Sequence, residues 1–294
     1  MIGVVIRTLN ESELIGTCLE TLRRQQGEFD LDILVVDSGS TDSTVEIARA
    51  HDARIVNLEP GAFDYSKALN VGIDEVRGDL VVNISAHAIP LDDRWLQRMT
   101  APFEDDRVAG VAGRQVPWPD APWQEVHRLA HQFRDEGSTY SPGSNGDIVF
   151  SNAASVIRRS VWCEHPFTLP VAEDLEWAQR VVAAGWIVVY EPAASVYHSH
   201  FESPRAQALR MIDINRPRDT EATRRNRLRT VREAAGMLVR DGRKILGLDE
   251  PVRRKLVYLA DLVRMVCYYV VDFSRAGTTA ERRREESLRG AGSS

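Results

Sequence analysis

Residues Ile33-Leu34-Val35-Val36-Asp37 are a four-residue apolar run that ends abruptly in an acid, and Ser38-Gly39-Ser40-Thr41-Asp42 turns the chain at once. The run is too short for a helix, and turn residues bound it, which is how a strand buried on both faces reads. A helical pattern restarts directly behind it, Thr44-Val45-Glu46-Ile47-Ala48-Arg49. Such a strand belongs inside a parallel sheet and presents polar groups at its carboxyl end, where open α/β sheets bind ligands. An acid held there accepts hydrogen bonds from a ribose or a base, and small residues beside it admit backbone N–H groups.

Two further copies of the pattern follow from the same reading. Ile2-Gly3-Val4-Val5-Ile6-Arg7 runs into Thr8-Leu9-Asn10-Glu11 and a helix beginning near Ser12. Asp79-Leu80-Val81-Val82-Asn83-Ile84-Ser85 runs into Ala86-His87-Ala88-Ile89-Pro90. Three such strands within ninety residues, separated by helical patterns, predict an α/β fold with a doubly wound, mainly parallel sheet and helices on both faces. Its nucleotide-binding edge is expected at Thr8, Asn10, Asp37 and the Ser85/His87 corner. No glycine-rich phosphate loop follows the first strand, which argues against a dinucleotide oxidoreductase and against a sugar nucleotidyltransferase.

Charge marks a boundary further on. Residues 1–200 carry 16 Lys/Arg against 30 Asp/Glu, a net of −14, whereas 201–294 carry 21 against 13, a net of +8. Strand patterns stop at the same place, and helices are expected over 205–215, 219–242 and 251–274. The 294 residues allow one large domain, 1–204, and a basic helical region, 205–294. No run of about 18 apolar residues exists, which argues against a membrane span. The opening residues read as a strand rather than a leader. Cys18, Cys163 and Cys267 are odd in number and far apart, as reduced, buried thiols of a cytoplasmic protein would be.

The last expected helix combines Arg253, Arg254, Lys255 and Arg264 with Leu256, Leu259, Leu262, Val263, Val266 and Val270. A basic amphipathic helix can lie on an anionic membrane, here the inner face of the cell membrane. It can equally pack on the main domain or in a homodimer. No recognised nucleic-acid motif accompanies the basic half.

The ordered motifs resemble those of family 2 glycosyltransferases with the GT-A fold. They are Arg7-Thr8-Leu9-Asn10-Glu11, Asp37-Ser38-Gly39-Ser40-Thr41-Asp42, Asn70-Val71-Gly72, and Ser85 to Pro90, where the family places an Asp-x-Asp. Glu173-Asp174 with Trp177 and Arg180 follows, then Val196-Tyr197-His198-Ser199-His200. The matches run from residue 2 to about residue 205. Phe63-Asp64-Tyr65-Ser66 and the Tyr197-to-His200 ending are similar to a bacterial rhamnosyltransferase-like branch.

The resemblance implies inverting transfer of a sugar from a nucleoside diphosphate donor to a hydroxyl of a saccharide or lipid-linked glycan. It leans toward dTDP-rhamnose, with UDP- and GDP-sugars open. Thr8, Asn10, Glu11, Asp37, Ser40, Lys67, Asn70, Ser85, Ala86 and His87 are then expected on the donor side. Glu173, Asn152, Trp177 and Arg180 are expected on the acceptor side, and residues 144–155 as a strand lining it. Trp118, Trp123 and Trp162 could stack on sugar faces, and 117–147 reads as a loop around a short helix, 122–136.

Such a reaction needs a base for the acceptor hydroxyl and a cation for the leaving phosphate. Asp174, opening a helix whose N-terminus keeps a carboxylate ionised, is the expected base. The alternative is that Glu173 and Asp174 only cap that helix. The Asp-x-Asp is broken, with Ser85 and His87 at the two positions. An imidazole suits Mn²⁺ better than Mg²⁺, so His87 with His198, or His200 in its place, would form the metal site. The alternative has His87 hydrogen-bond the diphosphate, with Lys67 or an Arg meeting its charge. Asp42 is expected to cap the following helix. The broken motif also leaves open a degenerate, non-catalytic binding or scaffold domain.

Overall fold

The computed structural model describes residues 1–58, 64–144, 146–170, 172–200, 203–205, 208–209 and 223–290, without the side chains of 124, 223–230 and 272–290. These divide into two units, Met1–Asp120 with Val126–Ser199, and Ala121–Glu125 with His200–Ser294. The break in the chain thus falls at Ser199, five residues before the boundary expected at 204. Phe63 and most of the helix expected over 205–215 lie outside the described residues.

The first unit alternates β1 (Ile2–Thr8), α1 (Ile15–Arg23), β2 (Leu31–Asp37), α2 (Thr44–Ala50), β3 (Arg54–Asn57), α3 (Tyr65–Glu75) and β4 (Leu80–Ser85). Next come β5 (Ile89–Pro90), α4 (Trp95–Thr100), β6 (Val108–Val116), α5 (Trp123–Gln132, of which the residues from Val126 on belong to this unit), β7 (Ser138–Tyr140), β8 (Ala154–Arg158), α6 (Arg159–Glu164), α7 (Glu173–Ala183) and β9 (Ile187–Tyr197). One mixed sheet runs β3-β2-β1-β4-β8-β6-β9-β5, with β7 on β9. β1 pairs parallel with β2 and β4, while β8 is antiparallel to β4 and β6. The strand order therefore reverses between β1 and β4, and a crevice opens there at the carboxyl ends.

Both faces of the sheet are covered, which is why its strands read as unbroken apolar runs rather than alternating ones. Val4, Ile6, Ile33, Val35, Val82 and Ile84 pack with α1, α2 and α4. Val5, Leu34, Val36 and Val81 point the other way, toward α3, α6 and α7. At Gly72 of α3 an added Cβ would run into Val5 and Val36, so only glycine lets this helix lie so close to the sheet.

Some expectations fail locally. The strand expected over 144–155 begins only at Ala154, because Ser151-Asn152 turns the chain into β8. The expected helix 122–136 is the shorter α5. Only Cys18 is buried, its thiol pushed up to about 12 by burial, whereas Cys163 and Cys267 are exposed.

The second unit holds α8 (Thr223–Gly247) and α9 (Val252–Gly290). Ala234, Met237 and Ile245 pack with Tyr258, Leu262, Met265, Val266 and Tyr269, along with Trp123. Lys255 Nζ donates to Leu246 O at 3.0 Å, satisfying a carbonyl at the end of α8. Among the described residues no helix is long and apolar enough to cross a membrane.

Candidate active site

The loops after β1 and β2 lock together at the crevice. Asp37 is buried, and its Oδ2 accepts the N–H groups of Gly39 and Ser40, each at 3.0 Å. Gly39 takes a φ of 99°, which a side chain resists, so the turn closes tightly over the acid. Ser40 Oγ donates to Asp37 Oδ1 at 2.5 Å and accepts Asn10 N–H at 2.8 Å, and Asn10 Oδ1 accepts Thr41 N–H at 2.8 Å. Asp42 accepts from Thr44 N–H and Oγ–H and from Ser12 N–H, as expected of a helix-start residue. These bonds, led by that from the Thr44 hydroxyl, hold its carboxyl down at about 2.

Next to this brace lies a chain of three groups. Glu11 Oε1 stands 2.7 Å from His87 Nδ1, and His87 Nε2 stands 3.1 Å from His198 Nε2, with the rings stacked at 4.8 Å. Glu11 was expected on the donor; here it orients an imidazole. Nδ1–H donation to a carboxylate fixes the tautomer that leaves Nε2 as a lone-pair donor, as in carboxylate–histidine–metal sites. Two nitrogens each about 2.1 Å from one ion, at a right angle, stand about 3.0 Å apart. The His87–His198 pair therefore fits a shared cation. His200 falls in the second unit.

The second group is an acidic pair. Glu173 and Asp174 open α7, and Ala172 before them is in the left-handed region at a φ of 58°. Asp174 is half-buried, with Oδ2 3.3 Å from Asn152 N, whose N–H donates to it. Glu173 is only 4% exposed; burial, then the Asp174 charge, pushes its carboxyl above the usual range, against the pull of Arg7. Asn152 lies behind both acids with no exposed surface, donating to Glu173 Oε1 at 3.5 Å and accepting Ser155 Oγ–H at 2.9 Å. It braces the acids and has no face left for an acceptor.

Other expected site residues are in the core. Trp177 is fully buried between Phe150 and Phe167, its Nε1–H donating to His165 O at 2.8 Å, so no face is open to a sugar. Trp162 is likewise buried and donates to Asn70 Oδ1 at 2.9 Å. Trp123 packs against Tyr258 in the second unit, and Trp118 stacks on Tyr197. Ala86 is fully buried because it continues the Val82–Ile84 face of β4. Asn70, expected at a phosphate, spends its amide on the loop before α7: Nδ2 donates to Phe167 O at 2.8 Å and Oδ1 accepts Phe167 N–H at 3.2 Å. Arg180 pairs with Glu176 at 2.7 Å and donates to Pro166 O, away from the acids. Lys67 is exposed on the first turn of α3.

Thr8 and Ser85 are buried at the carboxyl ends of β1 and β4, where they were expected. Buried polar atoms without a partner among the described residues gather here: Arg7 Nε and Nη1, Thr8 Oγ1 and Ser38 Oγ. Such atoms are rare in folded proteins, and a cluster at one sheet edge is what a ligand would complete. Arg7 was not among the expected site residues. Its signal was a charge inside an otherwise apolar strand.

The family model for glycosyl transferase family 2 matches residues 3–164. The O-antigen chain rhamnosyltransferase RfbN of Salmonella typhimurium is 28% identical over 222 residues, 72% of this chain and 70% of that protein. The O-antigen chain rhamnosyltransferase WbaN of Salmonella anatum is 31% identical over 195 residues, 62% of this chain and 60% of that one. The mannosyltransferase PcManGT from Pyrobaculum calidifontis, solved with GDP-Man and Mn²⁺, has the same fold at a TM-score of 0.52 and 17% identity, covering 99% of this chain and 79% of that one. With a family model spanning over half its length and a GT-A sheet beneath, the chain belongs to glycosyl transferase family 2 and is a glycosyltransferase.

Proposed function

We propose that this chain is an inverting enzyme that moves a sugar from a nucleoside diphosphate donor to a hydroxyl of a saccharide or lipid-linked glycan, with Asp174 as general base. One juxtaposition carries the reading. Ser85 N–H donates to Ala153 O at 3.2 Å, so the strand end leading to His87 lies beside Asn152, which holds Glu173 and Asp174. A group suited to leaving-group charge and a group suited to a proton thus flank one crevice.

Asp174, half-buried at the start of α7, takes the acceptor proton as the hydroxyl attacks the sugar carbon opposite the leaving diphosphate. Asp37 and the locked Asn10–Ser40 brace present a rigid wall to the nucleoside. Glu11 holds His87 so that Nε2 faces His198. His87 and His198 would hold a divalent cation, Mn²⁺ ahead of Mg²⁺, which would supply charge neutralisation for the departing diphosphate. The names of the two Salmonella relatives support a rhamnosyl donor and an acceptor in an O-antigen-like envelope polysaccharide, and the motif resemblance puts dTDP-rhamnose ahead of UDP- and GDP-sugars. The basic C-terminal unit supports a place on the inner membrane face.

Turnover and nucleotide affinity of Asp174→Asn, with Mn²⁺, Mg²⁺ or EDTA, test the reading. The expected result is a rate loss of about 10²- to 10⁴-fold with dTDP affinity kept. Undiminished turnover would remove Asp174 as base. Binding of dTDP that is equal in EDTA and in His87→Ala would remove the metal. A wild-type chain that binds the donor and never turns it over is a non-catalytic binding domain.

A further inference from the structure

We propose that Arg7 and Glu173 together grip one hydroxyl of the donor sugar, which makes Arg7 a binding residue for the transferred ring; this rests on the nucleotide-sugar reading above. Arg7 projects from β1 on the face of Val5, toward α3 and α7. Its side chain is 12% exposed, and the guanidinium lies 4.8 Å over the Tyr65 ring. Nε and Nη1 are buried with no acceptor among the described residues. The anion facing them, Glu173 Oε1, is 3.9 Å from Nη1, an ion pair but too long for a hydrogen bond.

An oxygen held by both groups would accept from the guanidinium and donate to the carboxylate. A hydroxyl does both. A diphosphate oxygen ionised at neutral pH has no proton to give, and the neighbouring Glu173 and Asp174 charges repel it. The ring that reaches Arg7 is the one carried by the nucleotide, because β1 pairs Thr8 with Asp37 and Arg7 with Ser85, the two strand ends on the nucleotide side.

The test is a cycle of kcat/KM for dTDP-rhamnose and its monodeoxy analogues on full-length wild type, Arg7→Met and Arg7→Lys, with the Ki of dTDP and thermal unfolding measured alongside. The Met side chain keeps a stem over Tyr65, and Lys keeps the charge without the fork. The expected loss in either variant is at least about tenfold in kcat/KM, with the dTDP Ki within about twofold of wild type. One deoxy analogue should lose as much on wild type and nothing further on Arg7→Met. Additive losses with every analogue, or an equal loss in dTDP affinity, would overturn the grip. A wild-type chain that binds no dTDP, UDP or GDP overturns the nucleotide-sugar reading itself.

Discussion

Ala172 occupies the left-handed region at a φ of 58° immediately before the two acids of α7, and its carbonyl accepts Glu176 N–H at 3.2 Å. An L-residue with a Cβ is strained there, by roughly 1–2 kcal/mol, and glycine is not. Strain of this kind gathers at functional sites, where it aims side chains. Ala172→Gly should therefore stabilise the protein by roughly 0.5–1 kcal/mol after the unfolded-state entropy of glycine is counted, read as a higher melting temperature. A lower melting temperature would mean that the backbone is not held in this conformation. The residue scale is also where the sequence misleads most. Trp177 and Asn152 carry the residue types of a sugar site, yet one sits in the core and the other behind the acids. Arg7 reads as an interruption in a strand, yet it reaches the acids. Side-chain direction decided these cases, and no spacing along the chain encodes a partner 166 residues away.

Between elements, α3 and the segment before α7 act as one part. Asn70 bonds Trp162 and both polar groups of Phe167, Ser66 donates to Leu169 O, and Pro170 O accepts Tyr65 N–H at 3.4 Å. The segment so latched leads directly into Ala172, Glu173 and Asp174. Removing the Asn70 amide strands the buried Trp162 Nε1–H and the Phe167 N–H, a cost of roughly 2–3 kcal/mol. Asn70→Ala should lower stability by that amount and lower kcat, while nucleotide affinity stays near wild type. A main loss in nucleotide affinity would return Asn70 to the phosphates. The strands β1, β2 and β4 were legible because each is an apolar run closed by turn residues. β3, four residues and half-exposed, carries too little burial to leave such a pattern.

At the scale of the whole molecule, charge is segregated, −14 over residues 1–200 and +8 over 201–294. On α9, Val252, Leu256 and Val263 are exposed at intervals of four and seven, beside the exposed Arg253 and Arg264, while Leu262 and Val266 pack inward. A helix with this surface suits an anionic bilayer, each basic residue adding about 1 kcal/mol. The full chain should sediment with vesicles containing phosphatidylglycerol and not with phosphatidylcholine alone. Charge reversal at Arg253, Lys255 and Arg264 should weaken that binding by roughly a hundredfold or more. Equal binding to neutral vesicles, or none to either, would count against membrane attachment. By itself the sequence determined the α/β class and the strand ends that bear the crevice, because burial on both faces of a parallel sheet forces uninterrupted apolar strands that end in polar turns. The family was legible separately, as a resemblance carried by the ordered motifs from Arg7 to His200. Only the tertiary structure decided that Glu11 serves His87, that Asn70 latches a loop and that Arg7 faces Glu173. Those contacts join residues 76, 97 and 166 positions apart, brought together by the order of strands rather than by any local pattern.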